Sequence, residues 1–351
     1  MKKLFYSLSL LAVMAFFNAC TTDVELYADY KDIPVIYGLL DASQDTNFIR
    51  INRAFSGSND HPINASDVAL IADSSNYPGK LTAYIAEYKA VFGGNYTPTG
   101  DTMWLDTITI HDKEEGVFYS PSQKVYYTPD RWIFDNNSAT SKYRYKLVVL
   151  KENDTVTAET GLVGGQEFKI LTTLLNFSAN PSDNTKKVKF TYADNAVFYD
   201  VQMVFYYKES VNGGPLVDKQ VSFSTGAINI DNLGTENQSL YITYLENTLF
   251  NALGEAIGAD TVLYPNHPNV FRYFDDLHPM KIFVTAGGDE LYNYIQVNSQ
   301  TGFSQTVPDY TNINGGYGVF SSRVHLEQDV AISAGTKRDL YGKTAWGFVQ
   351  Q

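Results

Sequence analysis

Five histidines, one cysteine and several adjacent pairs of acids are the residues of this 351-residue chain that could do chemistry. Nucleophilic hydrolysis needs a serine or cysteine activated by a base and faced by an oxyanion hole. The sequence holds no Gly-x-Ser-x-Gly elbow. His61, His111, His267, His278 and His325 lie far apart with no His-Glu-x-x-His spacing, so no metal site is predicted. His267 and His278 share one proline-rich stretch and are read as solvated. Glycoside hydrolysis needs two carboxylates a few ångström apart. Asp275-Asp276 and Asp289-Glu290 are the available pairs, and neighbours in a loop or turn are expected to be surface charge. The run from Asp41 to Asp45 alternates oxygen ligands but lacks the glycine of a calcium loop, and reads as a turn. Gly315, Gly316 and Gly318 carry no Lys-(Ser/Thr) for phosphate and are expected to permit a bulge or a tight chain reversal. No cofactor and no catalytic set is predicted.

The remaining reactive group is Cys20, the only cysteine. Lys2 and Lys3 precede an almost wholly apolar run from Leu4 to Phe17, too short for a permanent span of about 20 residues. With Ala19 before the cysteine, residues 1–19 read as a signal peptide and Cys20 as the site of a thioether to lipid. A lone thiol is a liability in an oxidising compartment, and lipidation consumes it. The expectation is an envelope protein anchored to the membrane at Cys20, with residues 20–31 as tether.

These chemistries need elements to position them. Tyrosine (26) and phenylalanine (21) are frequent, and Asn, Thr, Ser and Asp separate short apolar runs, which favours strands and turns. Strands are predicted at residues 34–40, 47–53, 80–90, 104–111, 116–119, 143–151, 154–160, 186–192 and 197–207. The last has Val197, Tyr199, Val201, Met203, Phe205 and Tyr207 on one face, a period of 2. Short helices are expected at residues 64–72 and near 246–257, where Leu249, Phe250, Leu253 and Ile257 share a face before Gly258. Residues 260–279 read as a long loop, and residues 281–285 and 291–297 as a hairpin. The fold class predicted is mainly β: two immunoglobulin- or fibronectin-like β-sandwich domains, at residues 32–168 and 169–351, with a small helical insertion. A net charge of −13 argues against a nucleic-acid partner.

Short segments carry a resemblance: residues 35–41, 46–55 and 69–75, then, near the end, residues 305–308 and 311–323, the last opening Thr311-Asn312-Ile313-Asn314-Gly315-Gly316-Tyr317. In these the chain resembles an uncharacterised, β-rich outer-membrane lipoprotein family of the Bacteroidota, a domain of unknown function. The resemblance implies location in the outer membrane, on its periplasmic or extracellular face, and supplies no catalytic residue. It also implies a TonB-dependent transporter, or another envelope protein, as partner. In bacteria of that group, Asp-(Ser/Thr)-apolar tripeptides accept O-glycans, which makes Thr102, Thr107, Thr155 and Thr261 the acceptor candidates.

The expected function is therefore a non-enzymatic binding or assembly accessory at the outer membrane. Its ligand, a glycan or a peptide, is expected on the aromatics of the 260–279 segment, Tyr264, Phe271, Tyr273 and Phe274. The alternatives are a glycan-active hydrolase using the paired acids, or a surface adhesin.

Overall fold

The computed structural model describes residues 32–41, 43–54, 71, 75–111, 114–115, 119–120, 122–129, 142–152, 154–180, 184–263, 269–299, 310–343 and 346–350. Cys20, the tether, Tyr264 and nearly all of the helix expected at 64–72 lie outside them. The first half of the chain forms β1 (Ile33–Asp41), β2 (Phe48–Ala54), β3 (Thr82–Ala90), β4 (Tyr96–Trp104), β5 (Asp106–Ile110), β6 (Gln123–Tyr127), β7 (Tyr143–Lys151) and β8 (Asp154–Gly161). Next come β9 (Leu174–Leu175), β10 (Thr185–Phe190), β11 (Phe198–Val211), β12 (Val217–Ser224), β13 (Ile228–Asn229), β14 (Gly234–Glu236) and β15 (Ser239–Leu245). The rest is α1 (Thr248–Leu263), β16 (Val270–Tyr273), β17 (Met280–Gly287), α2 (Asp289–Ser299), β18 (Tyr317–Ile332) and α3 (Ala334–Gly342). The chain is mainly β, and it forms sandwiches.

One long sheet, in the order β12-β11-β17-β18-β1-β2-β6-β5, is the common wall of two cores. A four-stranded sheet, β4-β3-β7-β8, packs on one half of it. Ile85, Leu147, Val149, Val156 and Ala158 from that sheet meet Ile36, Leu40, Ile49, Ile51 and Phe320 from the wall. Over the other half lie the three-stranded sheet β10-β15-β14 and helix α1. There Val188, Phe190, Leu240, Ile242, Leu249 and Leu253 bury against Tyr199, Val201, Met203, Phe205, Ile282 and Val284. Alternate side chains of β11 point into this core, as its period of 2 requires. Strands β10 and β11 thus face each other, with the Phe190 and Tyr199 rings 5.0 Å apart.

The chain passes from the first core to the second between Leu162 and Val163, and β18 returns to both, giving Phe320 to one and Val324, Val330 and Ile332 to the other. Strand β18 lies antiparallel to β17 and parallel to β1, with Val35 opposite Tyr317 and Asp41 opposite Arg323. Parallel pairing at this point presses the two backbones together. A Cβ on Gly318 would stand 1.9 Å from the Ile36 carbonyl oxygen, and its φ of +107° is one that L side chains rarely adopt.

Four local readings are corrected. Residues 291–297 are helical, not the second arm of a hairpin. Asp289 and Glu290 occupy the first turn of α2, where acids suit the helix dipole, and Leu291, Tyr294 and Ile295 have helical spacing. Helix α1 runs through Gly258 to Leu263, since an interior glycine costs only about 1 kcal/mol. With β16, it shortens the loop expected at 260–279. Strand β4 was hidden by Pro98 and Gly100, which an exposed edge strand tolerates beside the irregular pairing at Ala86–Tyr88.

Candidate functional site

The parallel junction of β1 and β18 builds a concavity on the outer face of the wall. Tyr37 points outward between inward Ile36 and Gly38, and Asp41 closes β1 opposite Arg323. Helix α2 forms the far bank, and two serines of β18 hold its first turn. The Gly288 N–H donates to the Ser322 carbonyl (3.0 Å), the Leu291 N–H to Ser321 Oγ (3.2 Å), and Ser321 Oγ to Glu290 Oε2 (3.0 Å). Ser322 Oγ donates to the Gly161 carbonyl at 2.5 Å and accepts the Val163 N–H at 2.8 Å, tying β18 to the chain where it changes cores. Both serines are fully buried, which their hydrogen bonds make tolerable.

Between these banks lies a groove of about 560 Å³ whose walls include Tyr37, Asp41, Asn47, Phe48, Tyr294 and Arg323. The Tyr37 and Tyr294 rings meet edge to face at 6.0 Å, with their hydroxyls 3.4 Å apart. Asp41 is buried, and its Oδ1 accepts both Ser43 N–H (3.0 Å) and Ser43 Oγ–H (2.5 Å), so the 41–45 run is the side-chain-capped turn its sequence suggests. Oδ2 of Asp41 faces Arg323 Nε at 3.4 Å. Asn47, 3% exposed, accepts the Asp41 N–H on its Oδ1 at 2.5 Å, and its own backbone is pinned by Thr128. Its Nδ2 has no hydrogen-bond partner among the described residues, a costly state for a buried donor.

Behind α2, Glu290 is half-buried in a smaller cleft of about 270 Å³ that also touches Arg144, Asn195 and Asp289. Burial pushes its carboxyl above the ordinary value of 4.5, while hydrogen bonds from Thr160 and Ser321, each 3.0 Å, oppose the rise. The folded state then holds the Glu290 proton more tightly than the unfolded chain does. Stability from this group is present below pH 4.5 and is lost as pH rises through the folded value. Urea unfolding at pH 4 and pH 7 should show wild type losing stability relative to Glu290→Gln over that interval. An unchanged difference would contradict the buried-acid account.

The aromatics expected to bind ligand do not converge. Phe274 is buried in the second core against Phe205, Tyr341 and Phe348 at ring distances of 5.4–5.8 Å. Tyr273 is half-buried, and Phe271 is exposed on β16. Between them Arg272, 3% exposed, turns inward. Its Nε and Nη2 contact Glu209 Oε2 at 2.8 and 2.6 Å, and Nη1 donates to the Trp346 carbonyl at 2.6 Å. Thr102 and Thr155 are exposed on β4 and β8, Thr107 is half-buried on β5, and Thr261 falls in the last turn of α1, its side chain outside the described residues.

Asp275 and Asp276 are engaged separately, whereas Asp289 and Glu290 line one cleft. Asp275 caps the Leu277 and His278 N–H groups, which hold its carboxyl below the usual range, while Asp276 lies 3.5 Å from Lys337 Nζ. His325 stacks on Phe283 and lies 3.1 Å from Thr285 Oγ1. Among the described residues no group of three or more His, Cys, Asp or Glu could hold a metal, and no helix is long and apolar enough to cross a membrane.

Sequence reasoning placed Tyr37, Asn47 and Phe48 in strands and Asp41 in a turn, gave Arg323 no element, and assigned none of them to a site. Asp41 and Arg323 are 282 positions apart in sequence, and only the parallel register brings them together. The buried Ser321-Ser322 pair inside an apolar strand was the available signal, because such serines need partners from another element.

No family model and no curated protein matches the sequence. A solved structure similar to part of it is the C-terminal globular domain of an oligosaccharyltransferase from Pyrococcus abyssi, at 10% identity and a TM-score of 0.20. The likeness covers 68% of this chain and 46% of that one, so the chain spans less than half of that protein's length. At that score it bears on neither fold nor function.

Proposed function

We propose that the protein is a lipid-anchored outer-membrane lipoprotein that binds without catalysis, holding a glycan or peptide in the groove between β1, β18 and α2. The observation that carries this reading is the groove itself: two edge-to-face tyrosines beside an Asp–Arg pair. Aromatic faces plus a few fixed polar groups are what ligand sites are made of. The groove takes its β1 residues, Tyr37 to Asp41, from the second half of the strand. A TonB-dependent transporter is the partner proposed.

Two measurements test this. Crosslinking in the native outer membrane, followed by mass spectrometry, should recover a TonB-dependent transporter stoichiometrically with the lipoprotein. Recovery of the lipoprotein alone removes the transporter from the proposal and favours adhesion. Tyr294→Ala should weaken ligand binding roughly tenfold, about 1.4 kcal/mol, without changing thermal unfolding much. Undiminished binding by this variant places the ligand elsewhere.

A further inference from the structure

We infer that the groove selects a saccharide bearing a carboxylate, an inference that rests on the binding function proposed above and specifies its ligand class. It follows from which hydrogen-bonding groups are spent and which remain. Oδ1 of Asp41 is occupied by two donors of Ser43, and Oδ2 faces the Arg323 guanidinium. The Asn47 Oδ1 is taken by the Asp41 N–H. The groove's carboxylate and its buried amide oxygen are therefore already engaged.

Its donors are not. Arg323 is 48% exposed, its approach to Asp41 is 3.4 Å through Nε, and no hydrogen bond from its guanidinium is made among the described residues. Nδ2 of Asn47 has no hydrogen-bond partner among the described residues but is fully buried, so it is Arg323 that offers a ligand its donors. A planar fork of N–H donors matches a carboxylate in two-point geometry, whereas a neutral hydroxyl would use only part of it. Tyr37 and Tyr294 supply the face against which a sugar ring packs, and Phe48, well exposed, extends it. In a chain of net charge −13, this is a local donor-rich site on an acidic protein, so recognition depends on the fork's geometry and not on long-range attraction.

The test is isothermal titration of the full chain in detergent with short galacturonate, glucuronate and sialic-acid oligosaccharides, each beside its neutral counterpart. The expected result is binding of at least one acidic oligosaccharide, at least tenfold tighter than its neutral partner. Arg323→Gln should abolish that preference, and Arg323→Lys should restore only part of it. Equal binding of acidic and neutral sugars, still lost in Tyr294→Ala, would overturn the carboxylate inference and leave the groove as the binding site. Absence of binding to every sugar overturns this inference and the glycan reading together. A preference that survives Arg323→Gln overturns the inference alone.

Discussion

Arg272→Ala is expected to destabilise the folded protein by about 3–5 kcal/mol, measured as a shift of the urea midpoint at constant m-value. Three physical losses coincide at this side chain. Its two-nitrogen contact with Glu209 disappears, leaving a carboxylate that is only 12% exposed with Lys219 Nζ at 3.9 Å as its nearest remaining cation. The Trp346 carbonyl loses its 2.6 Å donor. The C-terminal segment, which runs beside β16 through Arg272 N–H to the Gly347 carbonyl and Val349 N–H to the Arg272 carbonyl, loses its side-chain clamp. The decisive control is the double variant Arg272→Met with Glu209→Leu. Most of the cost of breaking a buried pair is the charge left behind, so removing both partners should recover much of the stability. A double variant as unstable as Arg272→Ala would mean that packing around Trp346, not the orphaned carboxylate, carries the effect.

Gly318→Ala should be comparably severe, about 4–5 kcal/mol or failure to fold. Backbone conformation accounts for a minor part, because a left-handed residue costs roughly 1–2 kcal/mol. The larger part is steric: the new Cβ would meet Ile36 oxygen at 1.9 Å and Ile36 carbon at 2.8 Å, so β1 and β18 would have to separate. Gly213→Ala isolates the conformational part. That glycine has φ +72° in the β11–β12 turn, with nothing within 4 Å of the added carbon, and about 1 kcal/mol is expected. Similar losses at both positions, by thermal or urea unfolding, would show that strand separation is not what Gly318 prevents.

Local patterns made much of the fold legible. The alternation from Val197 to Tyr207 located β11, and the stretches at 143–151 and 154–160 agree with β7 and β8. Leu240, Ile242 and Tyr244 in β15 carried the same period of 2 and were passed over, although the signal was present. Helix α2 misled because Leu291, Tyr292, Tyr294 and Ile295 satisfy a short strand almost as well as a helix, and Asp289 and Glu290 decide between them. The site was illegible for a different reason. Tyr37, Tyr294 and Arg323 belong to three elements whose meeting depends on one parallel register, and local periodicity carries no information about which distant strands pair. Phe274 looked like a loop aromatic available for ligand because the packing of Phe205 and Phe348 around it is likewise non-local.

The order in which the strands are made has its own consequence. Strand β1 is synthesised first and β18 last, yet they are neighbours in the middle of the wall, and Phe320 completes the core that residues 36–162 begin. Strand β1 lacks one of its two neighbours until residues 317–323 exist. Pairings this distant in sequence are slow to form, and their unpaired edges invite aggregation meanwhile. The topology therefore leaves β1 with one unpaired edge until the last long strand slots between β17 and β1.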